Sequence, residues 1–180
     1  MNKYSFIIPC YNCATFIEQN ILKLENKLKK LKIKYELILI NDGSSDKTLK
    51  IINHISLKNK LIKIIKNKKN TSKSYSCIKG IKRSRYRNII LIDCDLPYFS
   101  SLKDIFYELK KGNELVIVNR KLKESKLIKR KINIYQILRY FIGAAMAYIN
   151  LKLLKLEIVG GDSQAGLKGF KKIIMFFREK

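Results

Sequence analysis

Short apolar runs alternate with amphipathic segments along the chain as far as Val118. Five runs, each bounded by polar residues, predict strands of a sheet that is buried on both faces. They are Tyr4–Ile8, Tyr35–Ile40, Leu61–Ile65, Ile89–Ile92 and Glu114–Val118. Strands that alternate with helices at this spacing indicate an α/β fold, with a mostly parallel sheet, right-handed crossovers and flanking helices.

The amphipathic segments between the runs predict helices. Apolar residues recur at helical spacing over Ile17–Leu31 and again from Thr48 to Ile55. A third helix, or a loop followed by one, is expected within Asn70–Arg85. The fourth places Leu102, Ile105, Phe106 and Leu109 on one face, and Gly112 is expected to end it.

Polar residues and one proline predict where these elements begin and end. Pro9 is expected to end the first strand, because proline has no N–H for the ladder. The predicted N-caps are Asn12 or Thr15 for the first helix, Ser44 or Ser45 for the second, and Ser101, in a capping box with Asp104, for the fourth.

The pattern changes after Arg120. Residues 120–133 form a basic segment without glycine, and Ile134–Leu154 carries an apolar helical face. This face fits a core helix, or an interfacial helix at a lipid surface, because the basic residues before it would favour anionic headgroups. The length favours one domain, 1–180.

The chain is strongly basic. Its 180 residues include 39 Lys and Arg against 14 Asp and Glu, which gives a net charge of +25. Such a surplus attracts nucleic acid, anionic lipid headgroups or phosphorylated substrates. The sequence carries no recognisable nucleic-acid-binding motif, so no nucleic-acid partner is expected. Because the lysines are spread along the whole chain, charge alone separates the other two classes weakly.

Four cysteines, Cys10, Cys13, Cys77 and Cys94, include one Cys-x-x-Cys pair. A zinc site would need further ligands, and the sequence offers no second pair and a single histidine, His54. Buried free thiols are therefore expected. The sequence shows no signal peptide, and its longest apolar stretch is far below the roughly 20 residues that span a bilayer, so a reducing, cytosolic location is expected.

Five of the scarce acids, Asp42, Asp46, Asp93, Asp95 and Asp162, fall in the predicted loops. Asp93 and Asp95 follow the Ile89–Ile92 strand directly, at the sheet edge where open α/β proteins bind ligands. Alternate residues of an extended segment project the same way, so both carboxylates can address one hard cation, Mg²⁺ or Mn²⁺, that holds a diphosphate. The alternative is a strand end followed by a solvated turn with two chance acids.

Three segments at strand ends resemble the motifs of the family 2 glycosyltransferases, which have the GT-A fold. They are Ile7–Asn12, Ile40–Thr48 and Asp93–Asp95. Asp162–Phe170 is similar to a segment of the dolichyl-phosphate and undecaprenyl-phosphate glycosyltransferases, and Asn119-Arg120 is similar to their Ser-Arg pair. The resemblance covers nearly the whole chain, and it implies a nucleotide-sugar-binding half, 1–119, and an acceptor-side half, 120–180.

The resemblance implies a pocket for a UDP- or GDP-linked sugar and a site for Mg²⁺ or Mn²⁺. The implied nucleotide-binding residues are Pro9, Tyr11, Asn12, Asp42, Lys73 and Asp93, the implied metal ligands are Asp93 and Asp95, and the implied catalytic residues are Asp95, Arg120, Asp162, Gln164 and Lys168. Of these, Arg120, Gln164 and Lys168 would face the sugar and the acceptor phosphate.

The implied activity is metal-dependent transfer of a sugar from a nucleotide to a polyprenyl phosphate, by a cytoplasmic enzyme peripheral on the cytosolic face of the membrane. A lipid phosphate is already ionised, whereas a hydroxyl acceptor must lose a proton to a base. The second half of the chain has no Glu-Asp pair and leaves Asp162 as the base candidate. The alternatives are transfer to a saccharide hydroxyl in surface glycan synthesis, and a truncated remnant that binds nucleotide sugar without catalysis.

Two features depart from the family pattern. Where relatives have Asn-x-Gly-Lys-Gly, this chain has Asn70-Thr71-Ser72-Lys73-Ser74, without the backbone freedom of glycine. The chain also stops at Lys180, soon after the Asp162–Phe170 segment, whereas relatives continue through further elements. We therefore expect the acceptor-side half to be C-terminally incomplete.

Overall fold

The structure, a computed structural model, describes residues 3–118 and 166–172. The strands are β1 (Lys3–Cys10), β2 (Lys34–Asp42), β3 (Ile62–Asn67), β4 (Asn88–Ile92), β5 (Leu115–Ile117) and β6 (Leu167–Lys171). The helices are α1 (Ile17–Lys30), α2 (Thr48–Lys58), α3 (Lys73–Lys82) and α4 (Leu102–Lys110), and a short 3-10 helix over Phe99–Ser101 precedes α4. Residues 3–116 and 166–172 belong to one compact unit.

These strands form one mixed sheet in the order β3-β2-β1-β4-β6-β5. β1 pairs in parallel with both β2 and β4, and β2 pairs in parallel with β3, as the apolar runs predict. β6 pairs with β4 in antiparallel orientation. The predicted α/β fold with a mostly parallel sheet is therefore confirmed.

β6 is the strand that the sequence pattern did not predict. Its five residues include two lysines and a glycine, so no apolar run in the sequence predicts this strand. The strand exists because Leu167 pairs with Ile92 and Phe170 with Ile89 across the edge of β4. Those pairings bring the segment after Gly166 next to β4, the strand that Asp93 follows.

The prediction that Pro9 ends β1 is wrong. β1 continues to Cys10, and Pro9 lies opposite Ile40 in the pairing with β2. The pairing of β1 with β4 ends at Ile7, so the missing N–H of Pro9 falls beyond that ladder. β2 likewise extends through Asn41 and Asp42, beyond its predicted end at Ile40.

The predicted N-caps of α1 and α2 are also wrong, whereas Ser101 lies at the predicted position before α4 but does not form the capping box. α1 follows Phe16 and α2 follows Lys47, and α4 follows Ser101, in each case without a side-chain capping hydrogen bond. Asn12, Ser44 and Ser45 instead form hydrogen bonds between two loops. The end of α4 is as predicted, because the helix stops at Lys110 and Gly112 has a φ of +105°.

The helices cover the sheet with the faces that their periodicity predicts. α3 packs on β1 and β2, α4 on β6 and α2 on β3, while α1 packs on α2. The buried residues of α4 are the predicted Leu102, Ile105, Phe106 and Leu109. No helix within the described ranges is long and apolar enough to cross a bilayer.

Candidate functional site

The loops that follow β1 and β2 are joined at the carboxyl edge of the sheet. The backbone nitrogen of Asn12 donates to Ser44 Oγ at 3.1 Å, and Asn12 Oδ1 accepts from the backbone nitrogen of Ser45 at 2.9 Å. Asn12 has a φ of +47°, a left-handed conformation that asparagine tolerates better than most residues. The Asn12 side chain therefore holds the two loops together.

Asp46 and Thr48 add a second set of hydrogen bonds between the same loops. Asp46 Oδ2 accepts from the backbone nitrogen of Ala14 at 3.0 Å, and Asp46 Oδ1 accepts from that of Thr48 at 2.9 Å. Thr48 Oγ1 in turn accepts from the backbone nitrogen of Cys13 at 2.8 Å. This pattern satisfies backbone donors in both loops and fixes the entry to α1 and α2.

Asp42, the last residue of β2, is buried at the centre of a second network. Its Oδ1 accepts from Asn67 Nδ2 at 2.8 Å, from the backbone nitrogen of Thr71 at 3.0 Å and from Thr71 Oγ1 at 2.7 Å. Its Oδ2 accepts from the backbone nitrogen of Ser72 at 3.2 Å. Asp42 therefore positions the loop that leads from β3 into α3.

The hydrogen bonds keep this buried carboxylate ionised. Burial raises the pKa of Asp42, but the donors on Asn67, Thr71 and Ser76 outweigh burial, so that the pKa lies below its ordinary value. The Asn67 amide, which donates to Asp42, also accepts at its Oδ1 a hydrogen bond from Lys79 Nζ at 2.8 Å. The sequence pattern missed Asn67 and Thr71, because only the meeting of β2 with β3 brings them to Asp42.

Ser72 has a φ of +103°, in the backbone region that favours glycine. It occupies the place of the first glycine in the relatives' Asn-x-Gly-Lys-Gly run. Its hydroxyl accepts from the backbone nitrogen of Tyr75 at 3.4 Å and caps α3. The loop thus keeps a conformation typical of glycine with a serine in it, and the strain is held by the hydrogen bonds to Asp42.

Lys73 begins α3 and pairs with Asp93 beyond the end of β4. Lys73 Nζ lies 2.5 Å from Asp93 Oδ1 and 2.7 Å from Asp93 Oδ2. The side chain of Lys73 is 58% exposed and that of Asp93 is 28% exposed. Asp42 and Asp93 are therefore linked through the consecutive residues Thr71, Ser72 and Lys73.

Gly166 lies directly against Asp93. The backbone nitrogen of Asp93 donates to the carbonyl oxygen of Gly166 at 3.1 Å. A Cβ on Gly166 would lie 2.5 Å from Asp93 Oδ2 and 2.8 Å from Pro97 Cγ. Only glycine leaves room for the Asp93 carboxylate at this approach.

Asp95 is exposed in the turn that follows β4. Leu96 and Tyr98 have φ values of +51° and +55°, so the turn holds two strained non-glycine residues. Asn20 Nδ2 of α1 donates to the carbonyl oxygen of Cys94 at 2.9 Å and fixes the turn between the two acids. Because β2 and β4 both run parallel to β1, Asp93 and Asp95 follow β4 at the same edge of the sheet at which Asp42 ends β2.

Two carboxylates at this edge fit a divalent cation that also binds a diphosphate. Mg²⁺ is usually held by one or two carboxylates together with phosphate oxygens and water. Within residues 3–118 and 166–172, no group of three or more His, Cys, Asp or Glu side chains could hold a metal ion. Asp93 and Asp95 stay the predicted ligands, and phosphate oxygens and water would complete the coordination.

The remaining predicted site residues fall into two groups. Pro9 and Tyr11 lie at the end of β1 and in the loop after it, where Tyr11 is 49% exposed. Lys168 lies on β6, opposite Leu91 of β4. Arg120, Asp162 and Gln164 lie outside the described residues, so their roles stay predictions.

Three cysteines lie close together beside the loops. Cys10 and Cys13 are buried and Cys94 is half-buried, and Cys77 is a separate buried thiol in α3. Hydrogen bonds with Cys10 and Cys94 lower the pKa of Cys13, and the contact with Cys13 raises the pKa of the other two thiols. All four are free, as the sequence predicts.

Comparison with known proteins gives several matches. The family model described as "Glycosyl transferase family 2" matches residues 5–158. A dolichyl-phosphate beta-glucosyltransferase of Dictyostelium discoideum is 30% identical over 93% of this chain and 54% of its own length. A dolichol-phosphate mannosyltransferase of Pyrococcus furiosus is 28% identical over 72% of this chain and 35% of its own length. The chain thus spans about half or less of each relative.

A solved structure has the same fold. It is a mannosyltransferase from Pyrobaculum calidifontis in complex with GDP-Man and Mn²⁺, which matches with a TM-score of 0.61 at 15% identity over 98% of this chain and 46% of its own. At that identity the match bears on the fold alone, and it agrees with the GT-A architecture that the strand order indicates. The family match over most of the sequence identifies this chain as a member of glycosyltransferase family 2.

Proposed function

We propose that the protein is a metal-dependent glycosyltransferase that moves a sugar from a UDP- or GDP-linked donor to a polyprenyl phosphate at the cytosolic face of the membrane. The observation that carries the proposal is the convergence of Asp93, Asp95 and Asp42 at the carboxyl edge of the sheet, with Lys73 between them. That arrangement combines acceptor oxygens for a cation with an ammonium for a phosphate.

Each part of the arrangement has a task in sugar transfer. A divalent cation held by Asp93 and Asp95 would stabilise the charge that develops on the departing diphosphate. The loops joined by Asn12 and Asp46 would provide a fixed wall for the nucleotide. The loop held by Asp42 would present Lys73 to the phosphates.

The proposal of a lipid phosphate acceptor is supported by similarity to relatives and by acid-base chemistry. The Dictyostelium and Pyrococcus relatives are named for dolichyl-phosphate and dolichol-phosphate substrates. A lipid phosphate attacks as an anion, so the active site needs no general base for the acceptor. The predicted acceptor-side residues Arg120, Gln164 and Lys168 would bind that anion.

The test measures the release of nucleoside diphosphate from a panel of UDP- and GDP-sugars, with Mn²⁺ or EDTA, and with undecaprenyl phosphate, a saccharide panel or no acceptor. We expect release that needs both metal and lipid phosphate, and that falls about a hundredfold in Asp95→Asn. Asp104→Asn removes an exposed acid on α4 and serves as the matched control.

Other outcomes would contradict specific parts of the proposal. Release that is indifferent to EDTA and to Asp95→Asn would rule out metal dependence. Release with saccharides alone would favour a hydroxyl acceptor with Asp162 as base. Binding of nucleotide sugar without release, with every acceptor present, would favour the non-catalytic alternative.

A further inference from the structure

The ammonium of Lys73 occupies both oxygens of Asp93. The two distances, 2.5 and 2.7 Å, describe a bidentate contact with a candidate metal ligand. A divalent cation that approached Asp93 would meet a carboxylate already neutralised by Lys73. The ion pair and metal coordination at Asp93 are therefore competing states of one carboxylate.

The Lys73 side chain can leave Asp93 while its backbone stays in place. The residues before it are fixed, because Thr71 and Ser72 donate three hydrogen bonds to Asp42 and the Ser72 hydroxyl caps α3. The Lys73 side chain, by contrast, is 58% exposed and has a flexible four-carbon stem. Its ammonium can therefore turn to another anion without any change in the loop.

A nucleotide diphosphate supplies such an anion at the same edge of the sheet. We propose that Lys73 is an exchangeable counterion of Asp93, which moves to the donor diphosphate when the donor binds and thereby frees Asp93 for a divalent cation. This inference rests on the proposed function, because it needs a diphosphate and a metal in one site. It makes metal binding depend on the donor, through the side chain of one residue.

The magnitude of the effect follows from the exposure of the pair. An exposed ion pair contributes at most about 1 kcal/mol, so it masks Asp93 only partly. A ligand that binds the unpaired state has its apparent affinity reduced by the fraction of molecules in that state. Removing the ammonium should therefore tighten the binding of Mn²⁺ alone by about two- to fivefold.

The experiment compares Lys73→Met with Lys73→Arg and Lys69→Met in the full chain. Lys69 is exposed on the same loop, and its side chain forms no hydrogen bond or ion pair within residues 3–118 and 166–172, so Lys69→Met makes the same change in charge. Mn²⁺ binding is measured without nucleotide by electron paramagnetic resonance of the free ion. Binding of UDP and GDP is measured separately in EDTA by calorimetry.

We expect the two affinities of Lys73→Met to change in opposite directions. Mn²⁺ should bind about two- to fivefold more tightly, and nucleoside diphosphate should bind about tenfold more weakly. Lys73→Arg should bind Mn²⁺ like the original chain, because it keeps a cation at Asp93. If Lys69→Met bound Mn²⁺ more tightly by the same factor, the effect would be a general effect of charge, and the inference would be overturned. Unchanged Mn²⁺ binding, or undiminished diphosphate binding, in Lys73→Met would also overturn it.

The two proposals fail in distinguishable ways. If the original chain binds Mn²⁺ and nucleoside diphosphate but Lys73→Met shifts neither, the exchange is wrong and the proposed function stands. If neither the original chain nor Lys73→Met binds metal or nucleotide, both proposals are wrong. Circular dichroism of each variant confirms that α3, which Lys73 begins, is intact.

Discussion

Asp42 accepts two hydrogen bonds from Thr71, one from the backbone nitrogen at 3.0 Å and one from the hydroxyl at 2.7 Å. A carboxylate at the end of β2 thus fixes the loop that follows β3, the next strand in the chain. Because Ser72 and Lys73 follow directly, the position of the Lys73 backbone depends on the charge state of Asp42.

Asp42→Asn is expected to destabilise the fold by about 2 kcal/mol, because an amide NH₂ would face donors that now meet carboxylate oxygens. The folded pKa of Asp42 lies below its unfolded value of 3.8. Its contribution to stability is therefore complete above pH 3.8 and is lost as the pH falls through the folded pKa. Urea unfolding between pH 7 and pH 3 measures both effects. If the variant showed the same loss towards acid as the original chain, Asp42 would not be the group that titrates.

Ser72→Gly is expected to stabilise the protein, although it removes a side chain that caps α3. Relief of the +103° φ is worth about 1 kcal/mol. Replacing the serine cap by glycine loses only a few tenths of a kcal/mol. Ser72→Ala is the matched control, since it loses the cap and keeps the strain, and it should be less stable by about 1 kcal/mol. Denaturation midpoints of the two variants that moved in the same direction would contradict this account of the strain.

Glu36 tests the fold away from the candidate site. Its buried carboxylate accepts from Ser5 Oγ and from the backbone nitrogen of Arg85, both at 2.6 Å, and pairs with Lys63 at 2.8 Å. Glu36→Gln should cost about 2 kcal/mol of stability while leaving nucleotide affinity unchanged. Glu108→Gln breaks the exposed pair with Lys111 and should cost less than about 0.5 kcal/mol. A loss of nucleotide affinity in folded Glu36→Gln would show that the two ends of the sheet are coupled.

The contribution of Glu36 to the stability of the fold decreases towards acid pH, as that of Asp42 does. Burial raises its pKa, but Lys63, Ser5 and Arg85 outweigh burial, so the folded pKa lies below the unfolded value of 4.5. Its stabilisation is complete above pH 4.5 and is lost as the pH falls through the folded pKa. As the pH falls below 4.5, Glu36→Gln should therefore lose less stability than the original chain does. The same urea series measures this difference.

The sequence predicted those parts of the fold that depend on local pattern. β1, β2 and β4 each contain at least three successive apolar residues, and periodicity alone identified the buried face of α4. β6 could not be predicted in this way, because its strand conformation depends on pairing with β4, far away along the chain. Local propensity gave the wrong caps for α1 and α2, because Asn12 and Ser44 bond across two loops.

The candidate site was predicted in the same uneven way. The position of Asp93 and Asp95 after a buried strand was enough to place them at the ligand-binding edge. Nothing near Asp42 in the sequence indicates that Asn67 and Thr71 surround it, since those contacts arise only when β2 pairs with β3. Lys73 was assigned to the donor by resemblance, whereas its contact with Asp93 is a property of the folded chain.

Asp46 offers a test of the joined loops that does not depend on catalysis. Its two oxygens accept from the backbone nitrogens of Ala14 and Thr48, so one carboxylate protects an amide in each loop. Asp46→Ala should speed hydrogen exchange of both amides by about tenfold, because each loses a charge-assisted hydrogen bond.

The control for Asp46 is Asp104→Ala, which removes an exposed acid from the first turn of α4 and should leave both amides unchanged. If only the Thr48 amide responded to Asp46→Ala, Asp46 would act within its own loop, and the contact to Ala14 would not hold the loops together. If both amides responded while nucleotide affinity stayed constant, the wall of the pocket would not need that contact. We expect Asp46→Ala both to speed the exchange of the two amides and to weaken nucleotide binding. The reason is that the loop after β1 keeps a fixed position facing the nucleotide as long as Asp46 binds its backbone.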